Sequence, residues 1–162
     1  YLHGANLGGS NLGGAYMHGA RGINPNRLSP LRALHEQPGK IRLYKIVTAH
    51  GRGIYNGGIT YRVGESYEVA GANTDEAADC AAGINVATLD WCLREWRKGH
   101  RILVVEFAAG DIAAIPIATD GKVRLHRCTV VRELSEEESG IAQERRDREE
   151  WRRQQTAKEE RP

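Results

Sequence analysis

Four stretches of the chain carry residue types that could do chemistry. The first is Gly51-Arg52-Gly53-Ile54-Tyr55-Asn56-Gly57-Gly58. Glycine lets backbone amides approach a phosphate, but phosphate cradles of this kind lead into a helix N-terminus. Strand-like sequence follows here and no Gly-Lys-Ser/Thr is present, so the stretch reads as a hairpin turn. The second runs from Asp79-Cys80 through Gly83-Ile84-Asn85-Val86-Ala87 to Thr88. A thiol beside the start of a capped helix is activated by the helix dipole. Cys80 stands eight residues before that cap, and a nucleophile also needs a base within hydrogen-bond reach. Only the folding of His50, His100 or His126 toward it could supply one, so packing is preferred over catalysis.

The third is Glu106, inside the apolar run Val104-Val105-Glu106-Phe107. A carboxylate buried there without a partner is costly. Alternation aims it outward, or toward Arg124 or Arg127 on a neighbouring strand, unless it is an acid set in a cleft. The fourth is Lys122-Val123-Arg124-Leu125-His126-Arg127. Lys122, Arg124 and His126 share one strand face and form a basic stripe. That stripe is either a solvated face or a weak contact for phosphate. Trp151, nearly alone among charged residues, is a further candidate contact with a partner.

The elements that must position these residues are legible from pattern. Ser29-Pro30 is an N-cap followed by proline at the first helical position, and Pro38-Gly39 ends that short helix. Ile41 to Val47 alternates as a strand. Tyr61–Val63 and Ser66–Val69 are strand-like, and Ile84-Asn85-Val86 is a short strand. Thr88 caps a helix whose Leu89, Cys92, Leu93 and Trp96 fall on one face, and Gly99 closes it. The runs Ile102–Phe107, Ile112–Ile117 and Val123–Val131 then read as an antiparallel meander with turn chemistry at each bend. Ser135-x-x-Glu138 has the form of a capping box. It opens a charged tail that reads as a solvated helix fraying to disorder.

Composition bounds the answer. The 162 residues, 40% hydrophobic and 27% charged, suit one compact domain with appendages. Three Trp, six Tyr and one Phe allow only a modest core. No apolar run is long enough to span a membrane, and no secretory leader opens the chain. The formal charge of +2 argues against a dedicated polyanion binder. It divides as +5 over residues 1–132 and −3 over 133–162. An odd number of widely spaced cysteines, Cys80, Cys92 and Cys128, points to reduced thiols and a cytoplasmic setting. Cys92 and Cys128 read as small buried hydrophobes. The spacing of His126-x-Cys128 is poor for zinc, so no metal is expected, and no cofactor is implied.

The first 21 residues have a different period. Large apolar residues recur at Leu2, Leu7, Leu12 and Met17, with Ala5, Ser10 and Ala15 two places before each next one, and the register ends at Ala20-Arg21-Gly22, where the apolar centre is lost. Period five suits a square coil whose fifth side chains stack inward. Ala5-Asn6-Leu7 and Ser10-Asn11-Leu12 resemble the Ala-(Asp/Asn)-Leu-x-x pattern of the pentapeptide-repeat family. That resemblance implies about one coil of a right-handed quadrilateral β-helix. One coil cannot bury its own face. Either further coils precede Tyr1, or the stretch is a loosely ordered, glycine-rich leader.

The body, residues 41–132, resembles a small domain of unknown function that follows pentapeptide repeats in phage and prophage proteins. The matching pieces are Leu43-Tyr44-Lys45-Ile46-Val47, Tyr61-x-Val63-Gly64-x-x-Tyr67, Cys80-x-x-Gly83-Ile84-x-Val86-Ala87-Thr88, Val105-Glu106-Phe107 and Gly121-Lys122-x-Arg124. Asn85 stands where that family carries His, and no activity comes with the likeness. A second, topological likeness is to ADP-ribosyltransferases. It implies Tyr44 and Thr88 in a nicotinamide pocket and Glu106 polarising the ribose.

The expectation is an α+β chain of four parts: a pentapeptide-repeat coil at 1–21, a connector with a short helix at 22–40, a mixed but mainly antiparallel sheet domain with one packed helix at 41–134, and a charged tail at 135–162. Its expected role is a non-enzymatic module that contacts a protein, with weak nucleic-acid contact at most and no membrane. The alternative is an ADP-ribosyltransferase-like enzyme or a degenerate NAD-binding domain. Tyr44, Thr88 and Glu106 are its catalytic candidates. Lys122, Arg124, His126 and Trp151 are the candidate contacts of the module.

Overall fold

A computed structural model describes residues 29–118 and 121–159. The repeat of residues 1–21 lies outside the described residues. Among the described residues seven strands are present: β1 (Lys40–Val47), β2 (Ser66–Glu68), β3 (Ile84–Ala87), β4 (Arg101–Ala108), β5 (Ile112–Ala114), β6 (Lys122–Leu125) and β7 (Arg127–Leu134). Two α-helices accompany them, α1 (Leu89–Glu95) and α2 (Ile141–Glu159), along with 3₁₀ segments at Pro30–Glu36 and Ala109–Asp111. The chain is α+β. Its sheet is wholly antiparallel rather than mixed, in the order β2-β7-β4-β1-β3-β6-β5.

That order corrects the expected meander. β4 pairs with β1 and β7, whereas β5 and β6 form a hairpin that continues onto β3. The run Val123–Val131 is two strands broken at His126. Three strands stand between β6 and β7, yet one residue joins them. In a flat sheet they would lie about 19 Å apart at ~4.8 Å per strand. Cα atoms two residues apart span at most about 7.6 Å. The sheet must therefore curl until its edges meet. The backbone of His126 forms the seam: its N–H donates to Asp111 O beside β5, and its carbonyl accepts from Val69 N beside β2.

The curl gives the sheet an inside and an outside. Inside lie Ile41, Leu43 and Val47 of β1, Val86 of β3, Leu103, Val105 and Phe107 of β4, Leu125 of β6 and Val130 of β7. Leu31 and Leu34 of the first 3₁₀ segment pack against this cluster. Ser29 caps that segment by accepting from Leu31 N. A second cluster covers part of the outside, with Ile46, Ile102, Val104 and Leu134 meeting Cys92 of α1 and Ile141 of α2. α1 begins where expected, Thr88 Oγ accepting from Trp91 N at 3.3 Å, but ends at Glu95, with Trp96 as its C-cap.

Other boundaries differ from expectation. Tyr61–Val63 is not a strand, although Tyr61 is buried in the core. Ser135 and Glu138 form their reciprocal bonds in the turn before α2, which starts only at Ile141. Ile141 and Ala142 are buried, so the helix root is packed, and residues 143–154 are exposed. Glu106 pairs with neither Arg124 nor Arg127. It takes Lys40 at 2.6 Å and Arg42 at 3.0 Å: β1 and not β6 is its neighbour, and Arg127 on neighbouring β7 is held by Asp111. Among the described residues no helix is long and apolar enough to cross a membrane.

Candidate functional site

The curled sheet has a weak place. β1 and β3 are neighbours, but their register is a single pair, Tyr44 with Ala87. Beyond it the strands splay, and a cavity of about 660 Å³ opens in the gap. Its walls are β1, β3, α1, the 53–61 loop and the 79–83 loop. Four aromatic side chains line it: Tyr44 from β1, Tyr55 and Tyr61 from the loop and Trp91 from α1. The Tyr55 and Trp91 rings meet edge to face at 6.4 Å. Exposed Tyr55, Asn56 and Cys80 mark the rim.

Lys45 is the unusual residue of this site. Strand alternation sends Leu43, Lys45 and Val47 to the inside together. Lys45 is only 8% exposed. Its Nζ donates to Asn85 O at 2.8 Å and lies 4.4 Å from the centre of the Tyr61 ring. The splayed strands leave that carbonyl without a β1 backbone partner, and the lysine tip takes it instead. Burial lowers the ammonium pKa from 10.5 to about 8, because the charged form loses its water. The same burial pushes the Tyr61 hydroxyl upward, Cys92 to about 12 and Cys128 to about 11. These three groups around the amine are therefore neutral at pH 7.

The other charged groups of the cavity have partners, an ion pair for Asp79 and Lys122 and a hydroxyl donor for Glu95. Asp79 Oδ1 lies 2.6 Å from Lys122 Nζ, which also sits 5.9 Å from the Trp91 ring centre. Tyr55 Oη donates to Glu95 Oε2 at 2.5 Å, tying the loop to α1. That bond raises the Tyr55 pKa.

The 79–83 wall is held by Arg124, and here the basic stripe dissolves. Arg124 is fully buried, not exposed on a strand face. Its guanidinium donates to the carbonyls of Asn73 at 2.9 Å and Ala78 at 2.6 Å, with longer bonds to Asp75 and Asp79. It organises a loop without regular secondary structure. Gly83 makes room for it: at φ +135°, a Cβ there would stand 2.7 Å from Arg124 Cγ. Lys122 is half-buried in its pair with Asp79, and His126 is half-buried at the seam. The three do not form a continuous basic surface. Trp151 does stand out from α2, 60% exposed.

Of the three catalytic candidates, only Tyr44 lines the cavity. Thr88 spends its hydroxyl on the helix cap. Glu106 borders a separate hollow of about 360 Å³ with Lys40, Tyr67, Asp111 and Arg127. Its two cations hold its carboxyl below the usual range. Cys80 is exposed at the cavity rim, and Cys92 and Cys128 are buried. The Gly51–Gly58 stretch is a turn: Tyr61 N donates to Gly51 O, Arg52 bridges Thr60, and no helix follows. Gly51 has φ +81°, and a Cβ there would stand 2.7 Å from Tyr61 O. Among the described residues no three His, Cys, Asp or Glu side chains gather as a metal site.

No protein-family model matches the chain, and neither a curated protein nor a solved structure matches it. The site stands on its own geometry. Sequence reasoning passed over Lys45, although a signal was present: a lysine at a core-facing position between Leu43 and Val47.

Proposed function

We propose that the domain is a non-enzymatic binding module that takes a planar-ring group into the cleft between β1 and β3. The carrying observation is the cavity itself: about 660 Å³, walled by Tyr44, Tyr55, Tyr61 and Trp91. That volume is typical of sites for small ligands, and aromatic walls favour flat, apolar groups. In this reading the period-five segment of residues 1–21 is a pentapeptide-repeat coil that displays the domain. The arrangement is of the phage or prophage type its sequence resembles, in a cytoplasmic setting. Trp151 offers a separate contact for a protein partner.

The second reading is an ADP-ribosyltransferase-like or NAD-binding domain. Tyr44 in the wall of the cleft favours it. The placement of Thr88 in a cap and of Glu106 among cations outside the cleft favours binding over turnover. Trp91 reports on the site, so titration with NAD, adenosine and benzyl alcohol, followed by tryptophan fluorescence, tests both. A saturable change without nicotinamide release supports the binding module. Nicotinamide release would instead establish the enzyme. No change with any of the three at millimolar concentration would remove the cleft as a ligand site.

A further inference from the structure

We infer that the ligand of the cleft carries an acidic group, a carboxylate or a phosphate, and that Lys45 binds it. This inference rests on the reading of the cleft as a ligand site.

The argument begins with charge. A buried ammonium without a counter-ion is strongly unfavourable. Among the described residues Lys45 pairs with no carboxylate; its contacts are a backbone carbonyl at 2.8 Å and an aromatic face at 4.4 Å. Three donors serve an ammonium, and the carbonyl takes one of them. The groups around it come from four neighbouring elements, Asn85 of β3, Tyr61 of the loop, Cys92 of α1 and Cys128 of β7, while β4 sets the apolar Leu103 opposite it. None is anionic at neutral pH. Two carboxylates do line the cleft, but Asp79 is held by Lys122 and Glu95 by Tyr55. The complement missing from the site is therefore one oxyanion, reached along aromatic walls. An aromatic acid meets both conditions.

The ammonium also makes the proposal pH-dependent. Lys45 loses its charge above about pH 8, while the thiols and Tyr61 remain neutral well beyond that. A carboxylate ligand keeps its charge throughout this range.

The test uses benzoate and phenyl phosphate as acidic probes and benzyl alcohol as the neutral one, measured by calorimetry on the whole chain. At pH 7 at least one acid should bind about tenfold more tightly than the alcohol, the typical worth of a hydrogen bond to a charged group. The two acids separate carboxylate from phosphate recognition. In Lys45→Met the preference should vanish, with the alcohol still bound. In the unaltered chain the benzoate preference should fade between pH 8 and 10, which decides the matter even if the variant fails to fold. Equal binding of acid and alcohol at pH 7, or a preference that persists in the variant, would overturn the inference and leave the cleft reading standing. If none of the probes binds, both fall.

Discussion

Replacing Lys45 by methionine should make this protein more stable at pH 7 and leave it nearly unchanged at pH 10. Burial moves the lysine pKa from 10.5 to about 8. The folded chain therefore holds this proton less tightly than the unfolded chain, and the charge opposes folding in full at every pH below about 8 and fades as pH rises to 10.5. The shift makes the charged form cost about 3 kcal/mol at pH 7 and about 1 kcal/mol at pH 10. Between those values the unfolded chain binds more protons, so the lysine's contribution to stability rises with pH. Methionine removes this term. It also removes the bond to Asn85 O, worth about 1 kcal/mol, whereas the attraction of the ammonium to the Tyr61 ring is already contained in the cost of the charged form and vanishes once the amine is neutral. The net expectation is a gain of about 2 kcal/mol at pH 7 and almost no difference at pH 10.

Urea denaturation of both chains at pH 7, 8, 9 and 10 measures the difference directly. Comparing the two is essential, because Cys92, Cys128 and Tyr61 titrate as well. Each has a raised pKa in the folded state and so lowers stability above its ordinary value, from pH 9.0 for the thiols and 10.0 for the phenol. Those contributions are common to both chains. The change in the difference, about 2 to 3 kcal/mol from pH 7 to pH 10, depends only on Lys45. A difference that stays flat across this range would show that Lys45 is not buried as described.

Two further substitutions probe the frame of the cleft. Gly83→Ala should destabilise the domain by about 2–4 kcal/mol, from a positive φ and a Cβ driven into the fully buried Arg124; a thermal melt within 1 °C of the parent would refute the packing described for the 72–83 loop. Thr88→Ala should cost about 1 kcal/mol through loss of the α1 cap, with no effect on ligand binding beyond that of stability; selective loss of NAD-induced fluorescence change in a stable variant would move Thr88 into the site.

Much of the framework was readable from local pattern. The alternation of Ile41 to Val47 marks β1, the Thr88 cap with Leu89, Cys92 and Leu93 marks α1, and Ser29-Pro30 marks the start of the first 3₁₀ segment. These follow from interactions within a few residues, which the chain carries wherever it goes. Glu106 as a paired carboxylate was legible too, but its partners were not. Lys40 and Arg42 lie more than sixty residues away and reach it only because β1 is the neighbour of β4.

The site belongs to that second category. Strand order, the seam at His126, and the splay between β1 and β3 are long-range properties, set by which apolar faces can be buried together as the sheet closes. Pattern alone placed Arg124 with Lys122 on an open face, because alternation specifies sides of a strand and not which side meets water. Val123 and Leu125 of the opposite face fill the inside, and the outer side that carries Arg124 is covered by the 73–79 loop, four of whose carbonyls take up the guanidinium. Lys45 shows the same division. Its position opposite the polar side of β1 is written in the sequence, but its isolation from any carboxylate is decided by β3, α1 and β7 packing around it.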